Sequence, residues 1–130
     1  MPALKKVEVI TDGAPAPLPF YSQGVKVGDM VYVSGSLGID PSTGKFVEGT
    51  VADRTTQILK NISNILEAAG TSLHNAVKLN VFLTDMENFS ILNEAYEKFF
   101  TQGVRPIRTC VAVKQLPFGT DVEIEASAHL

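Results

Sequence analysis

The segment "RPIRTCVAVKQLPFGTDVEIEA", residues 105–126, concentrates the side chains of this sequence that could carry out chemistry. Arg108 stands between apolar neighbours, and its fork of N–H donors could hold a carboxylate through two parallel hydrogen bonds. A structural ion pair with Glu123 or Glu125, or simple exposure at a sheet edge, would explain the same arginine. The pattern alone leaves these alternatives open.

Glu123 and Glu125 form a second candidate group, in the alternating run that follows a short loop near 117–118. Residues two apart in a strand point to the same face, so these carboxylates would repel each other and could raise one pKa toward values useful in acid–base catalysis. Pairing the two runs as a hairpin would set Arg108 opposite Ser127. Glu123 would then lie roughly 13 Å away along the strand, a gap that suits a small ligand. Two solvated charges are the alternative.

Cys110 invites a role as a nucleophile, but no histidine lies near it in the sequence, and a buried cysteine usually behaves as a small apolar side chain. Tyr21 and Ser34 are polar residues at plausible pocket edges. Asn93 interrupts the apolar face of a predicted helix, where it could orient an arginine or face solvent. Each is a weak signal when taken singly.

Composition excludes several classes of function. The 130 residues, which we interpret as one domain spanning 1–130, carry 11 Lys and Arg against 14 Asp and Glu, for a net charge of -3. The lysines are scattered, so a nucleic-acid partner is not expected. His74 and His129 are far apart and there is one cysteine, so no metal site is predicted. Nucleotide-binding and hydrolase motifs are missing.

Apolar runs stay shorter than the roughly 18 residues that cross a bilayer, and no signal-peptide pattern occurs near Met1. We therefore predict no membrane association and a cytoplasmic location. The mature form of a mitochondrial protein stays open as an alternative.

The elements that must position these residues follow from periodicity and turn chemistry. Thr50 and Asp53 form a capping box before an apolar helical stripe, and Gly70 stands where that helix would end. The other predicted elements are an extended proline-rich segment at 14–20, a hairpin at 24–35 turning at Gly28-Asp29, a turn at 40–45, a strand at 75–84, and a second helix from a cap at Asp85 to Gly103.

This order of elements predicts an α+β domain in which two helices cover one face of a sheet of about four to six strands. The other sheet face carries residues too apolar to be left in water. We therefore expect a second copy of the chain to cover it, which argues against a monomer.

Several stretches together resemble the RidA (YjgF) family of enamine/imine deaminases. They are "YSQGVKVGDMVYVSG", "DPSTG", "NISNILEAAG", "VKLNVFLTDMENFSILNEAYEKFF" and, most specifically, "RPIRTCVAV" with "LP" and "DVEIEA" after it. The resemblance implies a chorismate-mutase-like fold with a mixed sheet, assembled as a homotrimer around a central β-barrel with sites between subunits. It also implies hydrolysis of 2-imino acids and enamines, such as 2-aminoacrylate, 2-iminobutanoate and 2-iminopropanoate, to 2-keto acids and ammonia without a cofactor. Such hydrolysis protects pyridoxal-phosphate enzymes from these intermediates.

The resemblance also implies roles for individual residues. Arg108 matches the arginine that grips the substrate carboxylate, and Glu123 the residue that positions or activates water. The positions that match pocket or supporting residues are Tyr21, Ser34, Asn93 and Cys110, with Tyr21 and Ser34 contributed by the same or the neighbouring subunit. The sequence departs from the family pattern at Phe20, Ser36 and Ile107, which leaves the substrate size preference open.

Two other functions compete with imine hydrolysis. One is a trimer that binds keto acids or regulates a partner without turnover. The other is ribonuclease activity or inhibition of translation, names that the family also carries, although the acidic charge balance makes it less attractive.

Overall fold

A six-stranded sheet runs through the computed structural model, which describes residues 3–130. Its strands lie in the order β1-β2-β3-β8-β6-β7, and β4 and β5 form a separate two-stranded ladder. The strands are β1 (Val7–Val9), β2 (Gly24–Val27), β3 (Met30–Ser36), β4 (Ile39–Asp40), β5 (Lys45–Phe46), β6 (Ala76–Leu83), β7 (Ile107–Ala112) and β8 (Val122–His129). Only the β6–β7 pair of this sheet is parallel, so the sheet is mixed.

Two helices, α1 (Val51–Ala68) and α2 (Phe89–Glu97), complete the α+β fold. The predicted capping box of α1 is confirmed: the Ala52 N–H donates to Thr50 Oγ1, and the Thr50 N–H donates to Asp53 Oδ2. The predicted hairpin is confirmed as β2 and β3, with Gly28 at a φ of 56° in the turn, and the predicted strand at 75–84 is β6.

The second helix is shorter than predicted. A 3-10 turn, Met86–Asn88, precedes it, with Asp85 as its cap, and α2 itself ends at Glu97 rather than near Gly103. The N–H groups of Phe99 and Phe100 donate to carbonyls only three residues earlier, which tightens the last turn and brings Phe100 into the core. Tertiary packing of this apolar side chain therefore ends the helix before the glycine.

The two faces of the sheet differ in what covers them. Towards the helices the sheet presents fully buried side chains such as Leu79, Val81 and Ile124. The opposite side, which we call the open face, bears Tyr32 and Val111 together with Glu123, since these alternate with the buried positions along their strands. The prediction that the helices pack on one face is confirmed.

The predicted hairpin between the last two strands is wrong. β6 lies between β7 and β8, and Leu79 is the register partner of both Arg108 on β7 and Ala126 on β8. Arg108 is therefore not opposite Ser127, and it lies on the helix side of the sheet while Glu123 lies on the open face. The physical reason is that alternation within a strand fixes its faces but not its neighbours.

No helix in residues 3–130 is long and apolar enough to cross a membrane. Residues 1 and 2 lie outside the described residues. They belong to the N-terminal stretch in which we predict no signal peptide.

An ion pair ties the start of β8 to α1. The Arg54 guanidinium donates to both carboxylate oxygens of Asp121 at 2.7 Å, and a further donor of the same group reaches the carbonyls of Val47 and Gly49 at 3.2 Å. The hydrogen bond from Arg54 holds the pKa of Asp121 below its usual value. A partly buried, two-pronged pair of this kind fixes the position from which β8 begins.

We expect Asp121→Asn to lower the free energy of unfolding by about 1–2 kcal/mol at pH 7, because it weakens a charged, partly buried pair. The pKa of Asp121 is depressed in the folded state, so its contribution is present above the usual Asp pKa and is lost as pH falls through the lower folded value. Denaturant titrations should show the difference from the parent protein shrinking at acidic pH. Asp12→Asn, at an exposed aspartate, is the matched control, and an equal loss in both variants would contradict the assignment.

Candidate active site

A cleft of about 830 Å³ lies between the 14–18 segment, the end of β3 and the residues that precede β8. Three of the predicted site residues, Tyr21, Ser34 and Glu123, contribute to its walls. Asn93, Arg108 and Cys110 are not among its lining residues. The structure thus divides the predicted site residues into two groups of three.

Glu123 is the acid–base candidate of the cleft. A β-bulge between Val33 and Ser36 brings Gly35 so close that a Cβ there would be 2.8 Å from Glu123 Oε2, so the missing side chain leaves room for the carboxylate. Burial, and secondly the charge of Glu125, raise the pKa of Glu123. A carboxylate with a raised pKa is a better proton acceptor than an ordinary glutamate at neutral pH.

Glu125 lines the same cleft, and its carboxylate accepts a hydrogen bond from Asn80 Nδ2 at 3.0 Å. Its neighbour on β6 therefore holds the second carboxylate in place, which keeps its negative charge near Glu123. Within one chain, Glu125 is thus a positioned charge of the cleft wall.

Ser34 lies on β3, and Tyr21 lies in the segment that leads into β2. Ser34 Oγ donates to the carbonyl of Ser22 at 2.6 Å, so its oxygen can still accept a hydrogen bond from a ligand. Tyr21 is about half exposed at the cleft edge, with its ring centroid 5.7 Å from that of Phe20. Both side chains could contact a small molecule in the cleft.

Two buried amides that the sequence pattern did not single out hold the cleft walls. Gln23 Nε2 donates to the carbonyls of Ala14 and Pro15, while Asn61 Nδ2 donates to those of Leu37 and Ile39. Asn61 had a signal: it stands three residues after a core isoleucine of α1, and a polar group in an apolar stripe needs buried partners. For Gln23, no pattern in the sequence pointed to burial.

Arg108 lies outside the cleft, in a position between β7 and α2 that we call the Arg108 seat. Its guanidinium donates to Asn93 Oδ1 at 2.7 Å, and its Cζ lies 5.4 Å from the ring centroid of Phe89 and 4.8 Å from that of Tyr96. Stacking of a guanidinium on aromatic faces, together with one hydrogen bond, restricts its orientation. Burial raises the pKa of Tyr96 to about 12, so this ring stays neutral beside the arginine.

The guanidinium of Arg108 is not paired with a carboxylate in the described part of the chain. Within residues 3–130 the guanidinium makes neither a salt bridge nor a further hydrogen bond beyond that with Asn93. The alternative of an intramolecular ion pair with Glu123 or Glu125 is therefore wrong. Arg108 is partly buried on the edge strand β7, and its remaining donors are free for an anionic group.

Cys110 follows Arg108 on the same side of β7. It is opposite Val81 and packs against the core, and burial raises its pKa even though the charge of Arg108 acts in the other direction. A thiol with a raised pKa stays protonated near neutral pH, which makes it a poor nucleophile. The structure therefore favours a packing role for Cys110 beside Arg108 over a role in covalent chemistry.

We expect Glu125→Gln to lower the pKa of Glu123, because it removes the neighbouring negative charge. The pKa should stay above the usual glutamate value, since burial is the larger cause of the shift. Titration of the carboxyl carbons by NMR measures this directly, with Glu48→Gln, at an exposed glutamate, as the control. An unchanged Glu123 pKa in the Glu125 variant would show that the two charges do not interact.

Comparison with known proteins gives the family. The family described as Endoribonuclease L-PSP matches residues 11–130. A mouse protein named 2-iminobutanoate/2-iminopropanoate deaminase is 46% identical over 125 residues, covering 96% of this chain and 91% of its own. The crystal structure of yeast Mmf1 superposes with a TM-score of 0.92 at 40% identity, covering 96% of this chain and 98% of its own. The crystal structure of E. coli TdcF with bound serine gives a TM-score of 0.91 at 38% identity, covering 95% and 98%.

These similarities extend over nearly the whole chain and far exceed what a shared fold alone requires. The chain belongs to the Endoribonuclease L-PSP family, which is the RidA, YjgF or RutC family.

Proposed function

We propose that this protein hydrolyses 2-imino acids and their enamine tautomers, including 2-aminoacrylate, 2-iminobutanoate and 2-iminopropanoate, to 2-keto acids and ammonia. In a cytoplasm that contains pyridoxal-phosphate enzymes, this activity would protect those enzymes from damage. The observation that carries the proposal is the seat of Arg108, whose guanidinium is oriented by Asn93 and two aromatic rings while its other donors stay free. The name of the mouse relative supports the same reaction.

Arg108 would bind the substrate carboxylate. A planar guanidinium offers two parallel N–H groups at the spacing of carboxylate oxygens, and a fixed orientation reduces the entropy lost on binding. In this arrangement Asn93 positions the guanidinium, while Cys110 contributes the adjacent wall and its backbone groups.

The complete site would form between two subunits of a homotrimer. Arg108 and Glu123 lie on opposite faces of the sheet in one chain, so a ligand bound by both must take them from different copies. β7 has an unpaired edge, and the open face exposes Tyr32, Val77 and Val111, which a second sheet could cover. Three such sheets packed around a common axis would make the central β-barrel that the family resemblance implies.

The chemistry needs a water molecule and a proton relay. Glu123 would accept a proton from water as the oxygen attacks the electrophilic C2 of the iminium group, forming a carbinolamine. The same carboxyl group would return the proton to nitrogen, the C–N bond would break to release ammonia, and the C2 hydroxyl would lose its proton to give the keto acid. Ser34 and Tyr21 would hold the substrate in the orientation for attack. No step requires a metal or an organic cofactor.

A non-catalytic binding or regulatory protein is the second candidate, and the TdcF structure with bound serine favours it because serine is not an imine. The description of the family as an endoribonuclease supports ribonuclease activity. However, the carboxylates of Glu123 and Glu125 in the cleft would repel a phosphate backbone. Adding the protein to a serine or threonine dehydratase separates these functions. Faster release of keto acid supports the deaminase, and an unchanged rate with both amino acids supports the binding protein.

We expect Arg108→Ala to reduce kcat/KM for 2-aminoacrylate hydrolysis by a factor of about 100 or more, because a charged hydrogen-bonding group is lost at the substrate carboxylate. Circular dichroism and light scattering should show an unchanged fold and oligomer. Arg105→Ala is the matched control, an exposed arginine three residues earlier. Full activity in Arg108→Ala would rule out its role as the carboxylate receptor.

The pH dependence of kcat/KM should report on Glu123. The carboxylate form is the active one, so activity should fall as pH drops through its pKa, which burial and Glu125 raise above the ordinary glutamate value. Glu123→Gln should slow turnover strongly, change KM little, and remove this acidic limb. A Gln variant that keeps the limb would assign the titration to another group.

A further inference from the structure

Two aromatic side chains stand at the rim of the cleft with most of their surface in water. Phe20 is 80% exposed and Phe118 is 72% exposed, and both line the cleft that contains Glu123. Large apolar side chains are costly to expose in this way, and a pair of them at one opening points to contact with a ligand.

The backbone at Phe118 adds an independent observation. Its φ of 59° is in the left-handed region, and it is the only residue besides glycine that has a positive φ among residues 3–130. A bulky residue is disfavoured in this conformation, and such residues concentrate at functional sites. The next residue is a glycine that also has a positive φ, so the turn itself does not require an aromatic ring at 118.

The size of the cleft exceeds the need of the smallest candidate substrates. An imino acid derived from alanine or serine has about six non-hydrogen atoms, as many as benzene, which fills a cavity of about 150 Å³. The cleft of one chain, which is open to solvent, has a volume of about 830 Å³. The space beyond the reacting atoms is therefore large enough for a substantial side chain.

The walls of that space are mainly apolar. Leu18, Leu37, Ile39, Phe82 and Pro117 line it together with the two rim aromatics. The charged residues in its lining are the two glutamates, and no lysine or arginine is among the described residues that form it. Transfer of an apolar group from water to this surface is favourable, whereas an acidic side chain would meet like charge.

We propose that the preferred substrates are 2-imino acids with a large apolar side chain, of the kind derived from leucine or phenylalanine, and that Phe20 and Phe118 determine this preference. The inference rests on the proposed function and assigns its substrate class. The carboxylate and the imine carbon lie between Arg108 of one copy and Glu123 of another, and the side chain extends along the apolar wall of the cleft. Smaller imino acids react at the same centre but leave the wall in contact with water.

Amino-acid oxidase with catalase can generate the imino acids from alanine, leucine and phenylalanine, and competition with semicarbazide gives the relative kcat/KM for each. The parent protein should hydrolyse the leucine- or phenylalanine-derived imine with a kcat/KM about ten-fold or more above that for the alanine-derived imine, since each added methylene in an apolar pocket contributes about ten-fold or more. Equal values, or a preference for the alanine-derived imine, would overturn the inference.

Phe118→Gly is the decisive variant, because glycine accepts the left-handed backbone while removing the ring. We expect a several-fold rise in KM for the large imines, an unchanged kcat, and unchanged hydrolysis of the alanine-derived imine. Phe118→Tyr keeps the ring and should keep the preference. Val104→Ala is the control, because Val104 is 93% exposed and lies outside the cleft. A preference unaffected by Phe118→Gly would exclude this residue as its determinant.

Two further measurements are needed. The first tests whether Phe118 contacts the substrate or another subunit, and the second tests the ligand preference independently of turnover. Light scattering should find the same oligomer for Phe118→Gly as for the parent protein, and dissociation would mean that the ring serves a subunit contact instead. Calorimetric titration with 4-methyl-2-oxopentanoate and with pyruvate tests the ligand preference without turnover. If no imine is hydrolysed, the proposed function fails, and tighter binding of the larger keto acid would still support the apolar side-chain site.

Discussion

The position of β6 between β7 and β8 is the constraint on which the site depends. β6 pairs with β7 in parallel and with β8 in antiparallel register, and Leu79 faces the helices between Arg108 and Ala126. Since neighbouring register partners share a face, Arg108 must lie on the helix side and Glu123 on the open face. The guanidinium and the carboxylate are thereby kept on opposite faces within one chain.

This separation preserves the reactivity of both groups. Arg108 is held by Asn93 and by the rings of Phe89 and Tyr96, none of which cancels its charge. Burial and the charge of Glu125 raise the pKa of Glu123, and no arginine among residues 3–130 lowers it. The fold uses its one strong ion pair elsewhere, between Arg54 and Asp121 in the described part of the chain, where it anchors the start of β8. The same arrangement leaves each chain with half of the proposed site, so the proposed catalysis would require assembly.

Local features of the sequence predicted local structure well. Thr50 and Asp53 predicted the start of α1, Gly28-Asp29 the turn between β2 and β3, and the alternation around Leu79 the strand β6. The end of α2 was predicted too late. Burial of Phe100 competes with continuation of the helix, and the spacing of apolar residues in the sequence does not show this competition. The false hairpin had a similar origin: two alternating runs joined by a short segment look alike whether they pair directly or around a third strand.

The sequence by itself determined which residues could do chemistry, which side of its own strand each one occupies, and the family to which the chain belongs. Residue type, alternation and motif are properties of short segments, so they can be read without the fold. Only the tertiary structure decided that Arg108 and Glu123 are on opposite faces, that Gln23 and Asn61 hold the cleft walls, and that Phe20 and Phe118 line the same cleft. These relations depend on which distant segments become neighbours, and that choice is made by the packing of the whole sheet against α1 and α2.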